Sequence, residues 1–304
     1  PMPLSPGHVP VDVVVTGVIR DRDEFDAIFS YLLQKRQSKI VRNIVFSTWK
    51  VVAKNRPDAL EWCQANDIVV VVTSQPGQTM PGNTWMQHKA LLVGLEALPD
   101  LSHPVLKTRT DKALNATQVL LDEYERTGLQ PADGDILKFK LLCQRVSLTM
   151  PFYLPDFAFI GLGSDLRKLV HFDGYYDVMA VPFSIAAEMR MFSWPFVKEF
   201  DFVDEYYRTV HSRNMSSRIL DVGMANVPDY IIAYFFLQYK VLSKYFQLPD
   251  VRAPDTRAYS VGAIWAPVPE GLSHISELFR CVHCSVGSHA LLNNIANLAF
   301  QQDA

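Results

Sequence analysis

Residues 107–113 read KTRTDKA and follow SHPVL, an apolar run that carries a proline. Four of the first six side chains, Lys107, Arg109, Asp111 and Lys112, are charged. Read as a buried strand that ends in charge, the stretch offers a definite chemistry. Mg2+ and Mn2+ are commonly held by only one or two carboxylates, with substrate phosphates and water completing the octahedron, and Asp111 has the character of such a ligand. Lys107 and Arg109 alternate along an extended segment, so they share a face, and both can approach phosphate oxygens, arginine with its bidentate fork. The same residues also suit an ordinary solvated turn in which Asp111 and Lys112 only cap the chain, because charge at strand ends is common in surface loops. The two readings part on whether other strands deliver polar groups to the same place.

The elements that would position the stretch alternate regularly. An apolar run at 11–15 precedes an amphipathic segment at 23–33, an apolar run at 44–46, a helical pattern at 57–65 and a valine-rich run at 68–72. A Gly/Pro/Ser-rich loop at 73–81, an amphipathic segment at 85–98 and the strand at 104–106 follow. Val/Ile-rich strands separated by helices predict βαβ units and a parallel sheet covered on both faces, so the fold class is α/β. In open α/β sheets, ligands bind in the crevice beyond the carboxyl ends of the strands. That rule selects Thr16, Gly17 and Arg20 after the first strand, Ser47, Thr48 and Trp49 after the second, residues 73–77 after the third, and 107–111 after the fourth. Beyond Asp111 the pattern loosens: 115–125 is helical, 135–142 is ambiguous, FAFIGL at 157–162 is a strand, and Ser164 is placed as the N-cap of a short helix. The second half is richer in aromatics and lacks clean alternation, which puts a soft boundary near residue 150, between 1–150 and 151–304. There is no internal repeat.

A chain of 304 residues that is 49% hydrophobic and 20% charged can bury a sizeable core as one large domain or two small ones. Its net charge of −3 provides no field for nucleic acid or an anionic membrane, so no nucleic-acid partner is expected and any phosphate site is local. Cys63, Cys143, Cys281 and Cys284 are too few for a disulfide scaffold, and residues 1–10 hold no secretory leader, so the expected location is the reducing cytoplasm. Cys281-Val-His-Cys284 has C-x-x-C spacing but no second ligand pair, and His283 and His289 complete no set; two ordinary thiols are the reading. The most apolar run, YIIAYFFL at 230–237, is far short of the ~20 residues that cross a bilayer. With Asn226 and Pro228 ahead of it, it predicts a mostly buried helix running to about Phe246, with peripheral membrane association the lesser alternative. An apolar helical stripe at 290–300 packs internally or against another subunit, which leaves a homo-oligomer open.

After the first strand the chain reads TGVIRDRDEF, with a single glycine. Neither the G-x-G-x-x-G dinucleotide turn nor the G-x-x-x-x-G-K-[ST] phosphate loop is present, and there is no G-x-S-x-G elbow. What remains is an α/β nucleotide site built without glycine-rich loops, in which a divalent ion and cationic side chains carry the diphosphate charge.

Four stretches in order, FSTWK at 46–50, the Asn83-x-x-x-Gln87 helix continuing to Gly94-Leu95, LKTRTD at 106–111, and DFAFIGLGSDLRKL at 156–169, resemble the WavE lipopolysaccharide-synthesis family, bacterial glycosyltransferases of the GT-A kind. The resemblance covers residues 11–190 or so. It implies a GT-A-like, Rossmann-type mixed sheet flanked by helices, with a less regular helical C-terminal part. It also implies transfer of a sugar from a nucleotide-sugar donor to a surface polysaccharide or lipopolysaccharide, a glycan or lipid-linked glycan acceptor met at the inner face of the cell membrane. Residues 1–150 would then be the donor-binding half and 151–304 the acceptor side of one domain. In such enzymes the strand before the metal typically ends D-x-D; here Arg109-Thr-Asp111 matches only the last Asp, which implies Mn2+ or Mg2+ on Asp111, or a metal-independent mechanism in which Arg109 replaces the positive charge.

On the same resemblance the donor site comprises Thr16, Gly17, Arg20, Ser47, Thr48, Trp49, Gln75, Gln87, Lys89, Lys107 and Arg109. Several have plainer readings: Lys89 as a solvent-facing lysine, Trp49 as a buried anchor instead of a stacking platform, and the Gln75-Pro-Gly turn as turn chemistry. An inverting transfer needs a carboxylate that takes the acceptor proton. Glu188 is the first candidate and Asp156 the second, with Asp165, Asp173 and Asp177 as competitors and a surface helical pair as the plain reading of Glu188. Two other functions stay open: a sugar nucleotidylyltransferase, for which TGVIRDRD lacks the glycines, and a GT-A-like binding or scaffold protein without chemistry, for which the missing first carboxylate is the motive.

Overall fold

The structure, a computed structural model, describes residues 9–75, 84–144, 157–170, 195 and 244–249. Its first strand, β1 (Val11–Thr16), is buried along its whole length. A run of valines on both faces is stable only where both faces are covered. Asp21 then caps α1 (Arg22–Gln37), its carboxylate accepting from the amides of Asp23 at 2.8 Å and Glu24 at 3.4 Å. The helix buries Phe25, Ile28, Phe29 and Leu32, the i, i+3, i+4, i+7 set of one face. The chain continues through β2 (Val41–Trp49), α2 (Lys50–Asn55), α3 (Pro57–Ala65), β3 (Val69–Thr73), α4 (Thr84–Glu96) and β4 (Pro104–Arg109). It then adds α5 (Leu114–Thr127), β5 (Leu141–Cys143), β6 (Phe159–Leu162), α6 (Gly163–Val170) and β7 (Phe246–Gln247).

Among the described residues the strands form one seven-stranded sheet in the order β3-β2-β1-β4-β6-β5-β7. β1, β2, β3 and β4 are parallel, as the alternation predicts. β6 enters antiparallel between β4 and β5, and β7 pairs parallel with β5, so the α/β sheet is mixed. Because β6 follows residue 150 and inserts between strands that precede it, the sheet runs across the boundary expected there.

One face carries the main core, where α1, α3 and α5 cover Val11, Val13, Val15, Phe46, Leu106 and Ile160. Phe25, Phe29, Phe46 and Trp62 meet there with ring centroids 4.5 to 6.2 Å apart, mostly edge to face. The opposite face carries α4 and α6. Helix α4 lies very close to the sheet at Gly94, where a Cβ would stand 2.3 Å from Val14 Cγ1. At the amino ends of the strands the fully buried Asp12 is satisfied by Arg42 Nε (2.9 Å) and Nη2 (2.5 Å) and by the Asn43 amide and side chain. A buried carboxylate needs such a set to be tolerated.

Several expectations change. The six-residue α2 was not anticipated. Ser164, expected as an N-cap, lies within α6; the helix start is held because Gly163 N and Ser164 N donate to the carbonyls of His103 and Leu101, both at 2.9 Å. The ambiguous 135–142 stretch resolves into a bridge between Pro131 and Phe139 followed by β5. Lys244 and Tyr245 are helical, but Phe246, expected to end that helix, belongs to β7, where pairing with β5 overrides the helical pattern. The run at 230–237, the Cys281–Cys284 pair with its neighbouring histidines, and the 290–300 stripe lie outside the described residues. No helix among the described residues is long and apolar enough to cross a membrane.

Candidate functional site

The chain runs outward from β1 through β2 to β3, then crosses back to lay β4 on the other side of β1. The direction of winding therefore reverses between β1 and β4, whose carboxyl ends lie side by side with Thr16 opposite Arg109. Such a reversal opens a crevice at the carboxyl ends of the strands.

Three loops are joined there. Gly17 N donates to Ser47 O at 3.3 Å, and Thr48 Oγ1 donates to Gly17 O at 2.8 Å. Thr110 N donates to Thr16 O at 3.2 Å, and Thr110 Oγ1 donates to Val18 O at 2.7 Å. Gly17 has φ 124, a value that side chains rarely adopt, and a Cβ there would press on Thr110 Oγ1 at 3.0 Å. Lys112, with φ 52, is a non-glycine residue in the left-handed region directly after Asp111. Such conformations cost of order 1 kcal/mol or more and cluster at functional sites.

On this frame sits a three-member charge cluster. Arg109 forks onto Asp111, Nε to Oδ1 at 2.8 Å and Nη2 to Oδ2 at 3.1 Å. Arg20 Nη1 approaches Asp111 Oδ2 at 3.4 Å from the β1 side. The side chains of Asp111 and Arg109 are 9% and 19% exposed, whereas that of Arg20 is 63% exposed. Phe157, just before β6, offers its ring face to the Arg109 guanidinium, 4.9 Å from centroid to Cζ. A cation held by a carboxylate on one side and an aromatic face on another is a fixed cation.

The other expected donor residues divide. Thr16, Gly17, Thr48, Arg20, Arg109 and Asp111 come together, but the threonine hydroxyls lock loops; that of Thr16 donates to Thr108 O at 3.1 Å. Ser47 is fully buried, and its hydroxyl has no hydrogen-bond partner among the described residues. Trp49 is 2% exposed and precedes α2 as a buried anchor, so its indole is not presented for stacking on a base. Lys107 shares the face of Arg109 as expected. It is nevertheless fully buried two residues down the strand, opposite Val14 and Phe159, with its ammonium 5.8 Å from the Phe159 ring centroid. It packs in the sheet instead of standing at the crevice.

Gln75 is exposed beyond β3, and Gln87 and Lys89 are half-buried on the first turns of α4. Asp165, one of the competitors for the base, is wholly buried and accepts from Lys138 N at 2.8 Å, Phe139 N at 3.0 Å and Lys168 Nζ at 3.2 Å. It pins the loop before β5 and is not available to an acceptor. Glu188, Asp156, Asp173 and Asp177 lie outside the described residues.

A divalent cation fits this arrangement poorly. The carboxylate expected to bind the ion has both oxygens engaged by guanidinium groups. An ion placed on either oxygen would stand roughly 4 Å from a guanidinium, a repulsion of ~8 kcal/mol at an effective dielectric of ~20.

Phe157 and Thr110 were not singled out from sequence. The spacing of Phe157 and Phe159 in FAFIGL was the available signal, since alternate strand residues share a face. No protein-family model matches the chain and no curated protein matches it, so the meaning of the crevice rests on its own geometry.

Proposed function

We propose that the chain is a glycosyltransferase that moves a sugar from a nucleotide-sugar donor to a bacterial surface polysaccharide or lipopolysaccharide acceptor, as its likeness to the WavE family implies. The observation that carries the reading is the convergence of Arg20, Arg109 and Asp111 at the β1/β4 reversal, where an α/β sheet binds its ligand and where no glycine-rich loop competes for the role. The mixed sheet with helices on both faces is compatible with a GT-A-like fold.

In this reading the donor diphosphate lies across the carboxyl ends of β1 and β4. The acceptor hydroxyl attacks the anomeric carbon, the bond to the diphosphate breaks, and negative charge grows on the leaving phosphate oxygen. Fixed cations aimed at that oxygen stabilise the transition state more than the ground state. Arg109, held by Asp111 and Phe157, has that pre-organisation, and the more exposed Arg20 can fold onto the donor as it arrives. Glu188 is proposed to take the acceptor proton, with Asp156 as the alternative.

The test is calorimetric titration of the purified chain with UDP- and GDP-sugars, which carry a diphosphate, and with CMP-sugars, which carry a single phosphate. A UDP- or GDP-sugar is expected to bind, and turnover with an acceptor glycan is expected to fall in Glu188→Gln. Binding of a CMP-sugar alone, or failure of all three to bind, would overturn the reading.

A further inference from the structure

We infer that Thr48 and Thr110 are positioning residues for the donor: their hydroxyls grip the loop after β1 from its two sides and so fix the root of Arg20 at the crevice before a ligand arrives. The inference rests on the reading of the crevice as a diphosphate site and names the residues that set one of its arms.

The first observation is the choice of residue. The strands of this sheet are written largely in valine, VDVVVT in β1 and VVVVT in β3. Thr48 and Thr110 are 0% and 2% exposed, where valine, the β-branched residue of nearly the same shape, would avoid burying a hydroxyl. A buried hydroxyl is costly unless it is bonded. Neither bond here is local: Thr48 Oγ1 donates to Gly17 O at 2.8 Å across 31 residues, and Thr110 Oγ1 donates to Val18 O at 2.7 Å across 92. β2 and β4, the two neighbours of β1, thus each direct one hydroxyl at consecutive carbonyls of a single loop.

The second observation is what that loop carries. Its start is tied by Gly17 N to Ser47 O, Ile19 packs against the main core, and Asp21 caps α1. Arg20, between Ile19 and Asp21, has a side chain 63% exposed, with Nη1 3.4 Å from Asp111 Oδ2. Its root is held while its tip lies in solvent. The third observation is fit. A Cβ on Gly17 would stand 3.0 Å from Thr110 Oγ1, so loop and hydroxyl are matched in space. Alternate residues of an extended segment take opposite sides, so Thr110 serves the loop while Arg109 and Asp111 pair on the other side.

An arginine whose backbone is already placed loses less freedom on closing over a phosphate than one on a wandering loop. Removing either hydroxyl leaves a carbonyl without its donor and lets residues 17–20 sample other positions. The cost then appears at binding, and only where Arg20 is present to make use of the placement.

The experiment measures the affinity of the full chain for UDP and GDP, in EDTA and in Mn2+, well below the melting transition. Thr48→Val, Thr110→Val and Thr110→Ser are each made in the parent and in Arg20→Ala. Arg20→Ala is expected to bind roughly tenfold more weakly, the usual magnitude for a charge-assisted hydrogen bond. Each valine variant is expected to lose roughly fivefold in the parent, the cost of ordering about one backbone residue, and less than about twofold in Arg20→Ala. Thr110→Ser, which keeps the hydroxyl, is expected to stay within about twofold of the parent.

Equal losses in the two backgrounds, or a serine variant as weak as the valine one, would show that the hydroxyls do not act through Arg20 and would overturn the inference. A valine variant that does not fold would assign that hydroxyl to the core and overturn its part in positioning. Binding by the parent that Arg20→Ala leaves unchanged would overturn the inference and leave the diphosphate reading in place. Absence of binding by the parent in both EDTA and Mn2+ would overturn both.

Discussion

Replacing Gly94 by alanine would show how closely α4 must approach the sheet. The added methyl would stand 2.3 Å from Val14 Cγ1 and 3.3 Å from Ser47 Cβ. Carbon atoms pack at about 3.5–4.0 Å, so the first contact is short by roughly 1.2 Å. Val14 is fully buried at the centre of the sheet and, being β-branched, has few rotamers to retreat into, so relief must come from α4 lifting off β1 and β2. Overpacking of this kind costs about 1–3 kcal/mol. Alanine in place of glycine within a helix returns about 1 kcal/mol. The expected net loss is about 0–2 kcal/mol, nearer the upper end for so short a contact, read in urea melts as a lower midpoint with an unchanged slope. Val14→Ala removes the opposing methyls, so the double variant should be less destabilised than the sum of the singles, a coupling of about 1 kcal/mol. A Gly94→Ala protein more stable than the parent by the full helix-propensity gain would refute the close approach of α4.

Two further outcomes follow from buried groups elsewhere. Asp165→Ala strips two backbone amides and Lys168 of their acceptor and should lower stability by about 2–4 kcal/mol, with Asp165→Asn milder because it keeps one acceptor; a loss under about 0.5 kcal/mol in chemical denaturation would rule out the pinning role. Burial pushes Tyr31, Tyr124 and Cys63 up to about 12 and raises Cys143 also. These groups ionise in the unfolded chain from about 9 to 10 but stay neutral in the folded one, so their contribution is whole below that range and is lost as pH rises toward about 12. The melting temperature should therefore fall from about pH 9 toward about pH 12, less steeply in Tyr124→Phe, and a flat profile would contradict the burial of these groups.

The first four strands and their helices were legible because each carries its own period: the valines of β1 and β3, the spacing of Phe25, Phe29 and Leu32, and the Pro57 start of α3. Short elements were not. The six residues of α2 span less than two turns, and β5 and β7 exist only through their partners. Within the site, the spacing argument that put Lys107 and Arg109 on one face applies equally to Arg109 and Asp111. Arg109 was weighed as the substitute for a metal on Asp111, but the pairing of the two side chains with each other was not foreseen. The burial of Lys107 was not legible, since it depends on its sheet neighbours Val14 and Phe159, which are distant in sequence. The task of Asp165 was hidden as well, because its partners, the amides of Lys138 and Phe139, are distant in sequence and have no side-chain signature.

The reversed strand β6 has a consequence for the order in which the protein can be made. Because it runs against its neighbours, its beginning meets the end of β4, and so Phe157 arrives beside Arg109 from 48 residues further along the chain. During synthesis the two halves of the charge cluster, on the first and fourth strands, can meet before their aromatic backing has left the ribosome, while the flank of β4 awaits the partner that will close it. The 48 residues between Arg109 and Phe157 are fewer than the 93 that separate Thr16 from its β4 partner Arg109, so the delay comes from the order of synthesis and not from a longer loop. The charge cluster thus gains its aromatic backing only after its two arms have emerged, and a nascent chain halted near its midpoint would carry the paired charges without the ring that steadies them.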